Sequence, residues 1–422
     1  MQRIASFSNR LSGTVLCILG LVAMIASEAA GQTQRQQAPA RPAARPPAAT
    51  PAKPAAAPAA SDRLYPTIET IAKQAIILDP STGAVLFEKN ADQIMPPSSM
   101  SKIMTAYVVF SRLRDGSLSL TDTLLVSERA WRTGGSKMFV AVNARVKVDD
   151  LLRGMIVQSG NDASVVLAEG LAGTEEAFAE LLTRKGREIG LRNSVFKNAS
   201  GLPDPDHVMT ARDLTVLARR LIQDFPEYYH YDAELDFTYN GIKQGNRNPL
   251  LYRNVGVDGL KTGHTDAAGY GLTASAVRDG RRLIMVLNGL PSIRSRSEES
   301  EKLLEWAFRE FGNYSLAKAD ATVETADVWL GNAATVPLAA PSDIVVTLPR
   351  RMRPQIKVSV VYDGPIAAPI AKGTEVARLV VSGPNLPAPI EHPLVAGVEV
   401  GRLGFVGRVG NAAGYLLWGS VK

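Results

Sequence analysis

The sequence predicts an α+β protein: an antiparallel sheet covered by helices, followed by a small all-β sandwich domain. Three observations carry that expectation. Within residues 65–312, strand-like runs stand at both ends with helical periodicity between them, the order expected when helices pack on an antiparallel sheet. The pair Asp279-Gly280 divides two apolar runs, the strongest short-range hairpin signal. After residue 312 the helical period is lost, and short β-prone runs alternate with proline and glycine. A length of 422 residues suits two domains plus accessory segments. With 45% hydrophobic and 21% charged residues, the chain has enough apolar side chains for a real core.

In chain order, Arg3 and Arg10 precede an apolar run at 13–25 that ends in the small residues Ala26, Ser27, Ala29, Ala30 and Gly31. Residues 1–31 therefore read as a secretory signal peptide, cleaved after Ala29 or Gly31. The run falls short of the roughly 18–20 apolar residues that a spanning helix needs. Cys17 lies inside the run behind Thr14, Val15 and Leu16, not at its end behind small residues, so lipidation is not expected. As the only cysteine, it leaves the mature chain without thiolate catalysis, disulfides or cysteine-bound zinc. Residues 32–64 are rich in proline and alanine with spaced cations, an extended linker. The formal net charge of +6 divides as +1 in residues 1–31, +4 in residues 32–64 and only +1 in the body. No basic domain remains to grip a phosphate backbone, so nucleic acid is excluded as a partner.

The first domain, residues 65–312, opens with strand, turn and strand over 75–88, the turn being Pro80-Ser81-Thr82-Gly83. A helix is expected over 99–113, with Met100, Ile103, Met104, Tyr107 and Val108 at helical spacing and Asp115-Gly116 as its stop. Further helices are expected at 148–157, 162–171 and 174–189. Another covers 210–221, where Thr210 with Asp213 three residues on is close to a capping box. Two strands, 260–277 and 281–290, flank Asp279-Gly280, and an amphipathic helix follows over 295–311. The second domain, residues 313–410, has β-prone runs at 323–330, 343–348, 356–362, 375–381 and 397–402. It shows no clustered histidines or carboxylates at ligand spacing, so no chemistry is assigned to it.

Four histidines leave little room for the usual nucleophile and base pairs. There is no G-x-S-x-G elbow and no H-E-x-x-H pair, so what remains is a serine activated by a lysine. Ser99-Met100-Ser101-Lys102 has S-x-x-K spacing, which puts both side chains on one helix face. Two other copies occur, Ser194-Val195-Phe196-Lys197 and Ser315-Leu316-Ala317-Lys318. Only Ser99 stands at the start of an apolar-periodic helix, behind Pro96 and Pro97. Ser194 lies in a β-like run, and Ser315 in the linker toward the second domain. Two further triplets follow in order. Ser159-Gly160-Asn161 sits at a helix–helix junction, where its ordinary role is a helix cap. Lys261-Thr262-Gly263 sits on the first strand of the Asp279-Gly280 hairpin, where a glycine often marks close approach by a ligand or another backbone.

With these segments, the sequence resembles the serine D-alanyl-D-alanine carboxypeptidases, the low-molecular-mass penicillin-binding proteins. The resemblance runs from about residue 68 to 311 and rests on PPSSMSKIMTAYVV, LLRGMIVQSGNDAS, the stretch from FKNASGL to MTARDL, VDGLKTGHTDAAGYGLTASA and RSRSEESEKLL. It is weaker through the β domain. The family fold it implies is a transpeptidase/β-lactamase-like domain followed by a β-sandwich. It implies that Ser99 attacks the carbonyl between two terminal D-alanines of a peptidoglycan stem peptide, with Lys102 as neutral general base. Ser159 would pass the proton to the leaving amine, and Asn161 would hold Lys102 and the substrate amide. The backbone N–H groups of Ser99 and His264 would form the oxyanion hole. Around the leaving carboxylate it places Lys261, Thr262 and Thr265, with Arg212 and Arg296 as further cations; Gly263 and His264 complete the substrate-binding set, the alternative for the His264 side chain being that it only lines the cleft. An ordinary surface or ion-pair role is the alternative for each arginine. β-Lactams would acylate the same serine, and no cofactor or metal is required. The loop WRTGGSKMF at 131–139 is shorter than in better-known members and borders the site, so it bears on substrate preference and deacylation.

Rival readings share parts of the pattern. A class A β-lactamase has S-x-x-K and K-T-G but needs a glutamate to activate the deacylating water. Residues 188–193, EIGLRN, nearly imitate that family's motif, yet carry one residue too many, and Glu188 ends an amphipathic helix as a solvated side chain. A D,D-endopeptidase, which cuts cross-links, is the closer rival. A scaffold that only binds wall peptides is disfavoured because every chemical group is present. The location implied is periplasmic. Residues 411–422 form a tail for peripheral inner-membrane contact, through Tyr415, Leu416, Leu417 and Trp418, with Arg402, Arg408 and Lys422 as nearby cations. The tail region is too glycine-rich for a continuous apolar helix face.

Overall fold

The structure, a computed structural model, describes residues 66–384, 386, 388–404 and 407. The expected signal peptide, the linker and the tail at 411–422 lie outside the described residues.

The chain first forms β1 (Gln74–Leu78), β2 (Val85–Lys89), α1 (Lys102–Arg114), β3 (Thr123–Leu125), α2 (Glu128–Arg132), β4 (Arg145–Lys147), α3 (Val148–Ile156), α4 (Asn161–Ala172), α5 (Glu175–Glu188) and α6 (Ala211–Asp224). Then come β5 (Asp236–Tyr239), β6 (Ile242–Gly245), β7 (Val257–Thr265), β8 (Gly269–Arg278), β9 (Arg281–Leu290) and α7 (Ile293–Glu310). The main sheet is antiparallel, in the order β2-β1-β9-β8-β7, so the two chain ends of the domain meet at its centre. Its strands obey the period of two. Ile76, Ile284 and Val286 enter the core under α1 and α3–α6, whereas Ala75, Ile77, Leu283, Met285 and Leu287 enter the core under α7. Burial on both faces explains why Ala75–Leu78 reads as a continuous apolar run.

The single strand expected over 260–277 is two strands. Those residues would span about 60 Å if extended, but the chain reverses at 266–268 and returns as β8. Gly269 makes the reversal: its φ is +71°, and a β-carbon there would lie 2.9 Å from the Leu290 carbonyl oxygen. Asp279-Gly280 accordingly joins β8 to β9, and Lys261-Thr262-Gly263 lies one strand further out, on the sheet edge. The β3/β4 and β5/β6 ribbons were not anticipated. Both are short and mostly solvent-facing, so they carry little hydrophobic pattern.

The chain continues as β10 (Phe311–Ala317), β11 (Thr322–Trp329), β12 (Thr335–Ala339), β13 (Ile344–Pro349), β14 (Lys357–Val361), β15 (Ile366–Ala367), β16 (Glu375–Ser382) and β17 (Ile390–Ala396). A β10-β13 ribbon faces a sheet ordered β14-β16-β17-β12-β11-β15, and Ile344, Val346 and Leu348 share a separate core with Val328, Leu338, Leu379 and Leu394. Ser315 therefore lies within strand β10, opposite Val345, and not in a linker. Residues 397–402 are not a strand; Val400 and Arg402 make isolated bridges to Ile370 and Gly331. The bends at Gly397 and Val398 interrupt the extended run. Among the described residues, no helix is long and apolar enough to cross a membrane.

Candidate active site

Ser99 sits in a 3-10 turn, Ser98–Ser101, that leads directly into α1. Ser98 has the left-handed φ of +51°, an uncommon backbone state for a non-glycine residue and one that clusters at functional sites. Ser99 is half-exposed between the buried side chains of Ser98 and Met100. Two glycines make room for this turn. A β-carbon on Gly201, whose φ is +77°, would fall 1.9 Å from the Ser98 carbonyl oxygen. One on Gly263 of β7 would lie 2.9 Å from the Pro97 carbonyl oxygen and 3.2 Å from the Ser98 β-carbon. The glycine of the Lys261-Thr262-Gly263 triplet thus permits close approach of another backbone, the nucleophile turn itself.

α1 is buried all round: Ile103, Met104, Ala106, Tyr107, Val108, Val109 and Phe110 are all inside. Its first residue, Lys102, is consequently carried into the interior and is only 1% exposed. The Lys102 Nζ lies 2.9 Å from Ser99 Oγ, 2.7 Å from Asn161 Oδ1 and 2.6 Å from the Ser200 carbonyl oxygen. Burial, then the nearby charges of Lys261 and Arg247, hold its pKa well below the ordinary lysine range. The positive end of α1 acts in the same direction. A neutral amine donates two N–H bonds, here to Asn161 and Ser200, and its lone pair is left to accept from the Ser99 hydroxyl.

Asn161 opens α4, and its amide is fixed at both ends: Oδ1 accepts from Lys102, and Nδ2 donates to the Gly134 carbonyl at 2.8 Å. Ser159 is buried between α3 and α4 at φ +61°. Lys261 is 3% exposed on β7, and its Nζ makes one long bond, 3.5 Å, to the Thr262 carbonyl. Burial, then Arg247 and Arg296, push its pKa down to about 7. Thr262 is buried beside it. Thr265 Oγ1 lies 3.3 Å from Ser98 Oγ, and the exposed His264 ring stacks on Tyr270 at 3.9 Å.

Arg296, 6% exposed on α7, lies over the other side of the site with its Nε unpartnered, its guanidinium 5.8 Å from the Tyr270 ring centre. Arg212 is not brought there. Asp92 holds its Nε at 2.7 Å and Glu88 its Nη2 at 2.7 Å, in a cleft lined by Glu88, Asn90, Ala91, Asp92, Gln93 and Arg212 and by none of the other candidates. An exposed arginine beside two acids is drawn into their ion pairs, the alternative left open by the sequence. The other two S-x-x-K serines also separate from their lysines. Ser194 donates to Asp213 Oδ2 at 2.7 Å while Lys197 faces Asp206, and Lys318 pairs with Asp343 at 2.8 Å.

The pattern of the D-alanyl-D-alanine carboxypeptidase family matches residues 59–291, more than half of the chain, and the C-terminal domain of penicillin-binding protein 5 matches residues 311–402. The chain belongs to the D-alanyl-D-alanine carboxypeptidase family. It is 41% identical to D-alanyl-D-alanine carboxypeptidase DacC of Escherichia coli over 348 residues, covering 80% of this chain and 86% of that one. Its fold is similar to penicillin-binding protein 5 from Haemophilus influenzae, with a TM-score of 0.74 at 37% identity, over 80% of this chain and 99% of the other. It is also similar to penicillin-binding protein D2 from Listeria monocytogenes in its ampicillin-bound form, with a TM-score of 0.53 at 32% identity, over 58% and 99% of the two chains.

Within this D-alanyl-D-alanine carboxypeptidase fold, three supporting residues escaped the sequence reading. Asp162, fully buried, accepts from the backbone N–H groups of Met138, Phe139 and Val140 at 2.9–3.3 Å and so ties the 131–139 loop to the Ser159–Asn161 junction. Glu175 accepts from the Ala199 N–H at 3.1 Å and from Arg129 at 2.8 Å, which fixes the segment that offers the Ser200 carbonyl to Lys102. Arg247 donates to Ser136 Oγ at 2.6 Å and adds its charge to those of Lys261 and Arg296. Asp162 carried a faint signal, an acid in the first turn of a helix directly after the Ser-Gly-Asn triplet. Glu175 and Arg247 carried none, because their partners are distant in sequence.

Proposed function

We propose that this protein is a serine-type D-Ala-D-Ala carboxypeptidase that removes the terminal D-alanine from peptidoglycan stem pentapeptides. The observation that carries this reading is the buried Lys102 amine, 2.9 Å from Ser99 Oγ, held by Asn161 Oδ1 and the Ser200 carbonyl, with its pKa well below the ordinary lysine range. Beside it stand three cations, Lys261, Arg247 and Arg296, that no carboxylate among the described residues neutralises by a direct ion pair. Ser99 Oγ attacks the carbonyl carbon between the two D-alanines as its proton passes to Lys102 Nζ. The N–H groups of Ser99 and His264 receive the developing oxyanion. Collapse breaks the C–N bond, and the proton returns through Ser159 to the amine of the departing D-alanine. A water, deprotonated by Lys102, then hydrolyses the acyl-enzyme.

Strand β7 supports this placement because it is the free edge of the sheet and can pair with an extended peptide backbone. The substrate's terminal carboxylate then meets Lys261, Thr262 and Arg296, with Arg247 adding positive potential. A β-lactam, whose amide occupies the same place beside its own carboxylate, acylates Ser99. The test is to supply the purified protein with a pentapeptide stem and, separately, a cross-linked dimer. Free D-alanine from the pentapeptide is expected. Cleavage of the dimer with the pentapeptide untouched would replace this reading with an endopeptidase, and inertness toward both would end it.

The reading places the enzyme outside the inner membrane, exported by residues 1–31 and touching the membrane surface through its tail. Supporting it are the charged, apolar and small-residue order of the N-terminus and the aromatic cluster at 415–418. Deleting residues 411–422 should move the protein from the membrane fraction to the soluble periplasmic fraction. Unchanged membrane association would assign the anchor to another segment.

A further inference from the structure

Beside the nucleophile turn lies a cavity of about 330 Å³, within the size range of small-ligand sites, that no step of the reaction uses. Its wall is aliphatic, made by Ile94, Pro97, Leu202, Pro203 and Ala267. Ile94 is 60% exposed there, an apolar side chain that the core does not claim. Ser98 and Thr265, whose hydroxyls are 3.3 Å apart, border the cavity next to Ser99. Among the described residues, Asp204 is the only acid of the lining, and no lysine or arginine lines it. The half-buried Asp204 carboxylate accepts the Asp206 N–H at 2.8 Å and forms no ion pair among the described residues. Lys197 is turned to Asp206 instead, at 3.9 Å. His207, also in the lining, is 2% exposed; burial lowers its pKa to about 4, with Asp204 opposing and Lys102 adding to the fall, so it brings no positive charge at neutral pH.

Strand β7 gives the cavity its place along the substrate. The leaving carboxylate meets Lys261 and Thr262, and the oxyanion meets the His264 N–H, so the acyl half of the peptide runs on past Thr265. Thr265 is three residues beyond Thr262, about 10 Å along an extended strand. The cavity therefore flanks the residue that precedes the two D-alanines. We propose that it is a specificity site for that residue, taking an aliphatic side chain that ends in a primary ammonium, with Asp204 as the counter-ion. The inference rests on the function proposed above and names the class of stem peptide it prefers.

The two halves of the lining ask for the two halves of such a side chain. The proline, leucine and isoleucine surface covers methylene groups and gains by losing water. A wholly apolar side chain would cover that surface but press against the Asp204 carboxylate without pairing it, which costs desolvation. A side chain ending in a carboxylate would meet like charge. Asp266, exposed in the β7–β8 turn next to Ala267, also forms no ion pair among the described residues and adds negative potential at that edge. A long aliphatic chain with a terminal ammonium satisfies both the wall and the acid.

Three peptides ending in D-Ala-D-Ala test this, with lysine, Nε-acetyl-lysine or norleucine as the preceding residue. The wild type should favour the lysine peptide by about fivefold in kcat/KM, the scale of one half-exposed ion pair, with the difference lying in KM more than in kcat. Asp204→Asn keeps the acceptor for the Asp206 N–H and should bring the three peptides within about twofold of one another. Asp266→Asn should keep the preference. A wild type indifferent to the three side chains, one that favours a neutral side chain, or a preference that survives Asp204→Asn would overturn the proposal. Should Asp204→Asn not fold, the wild type at about 1 M salt decides the matter: the preference should shrink toward unity, since a half-exposed pair is screened, and an undiminished preference would overturn the proposal. A wild-type protein inert toward all three peptides would instead overturn the functional reading itself.

Discussion

Ser99→Ala is expected to abolish both D-alanine release and covalent labelling by penicillin. Removing the nucleophile of a serine hydrolase costs on the order of a million-fold in rate, since no other group can take over the covalent step. The structure sharpens the control. Ser194 is buried and bonded to Asp213, and Ser315 lies in a strand whose neighbouring Lys318 is committed to Asp343. Ser194→Ala and Ser315→Ala should therefore retain labelling. Mass spectrometry of the penicillin adduct checks this directly, and an adduct on any serine other than Ser99 would refute the assignment. The alanine variant should stay folded, because Ser99 is half-exposed and its hydroxyl bonds only to Lys102 among the described residues.

Lys102→Arg should reduce acylation by about a hundred-fold or more, the range for a lost general base. Arginine cannot surrender its proton near neutral pH, so the Ser99 proton has no acceptor. It is also bulkier and must place a fixed charge among Lys261 and Arg247, in a site that already depresses the lysine's proton affinity. The sign of the pH dependence follows. Because the Lys102 pKa is held well below the ordinary lysine range, acylation by the wild type should fall as decreasing pH protonates the amine, and the acid limb should lie well below where an ordinary lysine titrates. Stopped-flow acylation by a chromogenic β-lactam across pH measures both effects. A Lys102→Arg enzyme acylating at the wild-type rate, or an acid limb absent from the wild type, would exclude Lys102 as the base.

Much of this site is legible without coordinates. The spacing of Ser99 and Lys102 places them on one helical face, and that face is where they meet. The Ser-Gly-Asn triplet, expected at a helix–helix junction, lies between α3 and α4. Arg296 and Arg212 look alike in sequence, each an arginine near a helix start. Only the structure separates them, sending one over Tyr270 beside Lys261 and the other to Asp92 and Glu88. The reversal inside residues 260–277 carries no Asn-Gly or Asp-Gly pair, since Asp266 and Gly269 are separated by two alanines, and the turn rests on Gly269.

The sequence by itself determined the kinds of chemistry open to the chain. Its composition argued against nucleic acid, its one cysteine falls within the expected signal peptide, and its three motifs, in order and on suitable elements, pointed to a serine and a lysine. Local period and capping residues also determined most helices, because those signals act within a few residues. Tertiary structure alone decided the electrostatics. The proton affinity of Lys102 is lowered because α1 is buried on every side and because Lys261 and Arg247, distant along the chain, are brought beside it. Asp162 and Glu175 take up their supporting positions in the same way. The cost of burying a charge depends on what surrounds it in space, and that is a property of the folded core, not of neighbours in sequence.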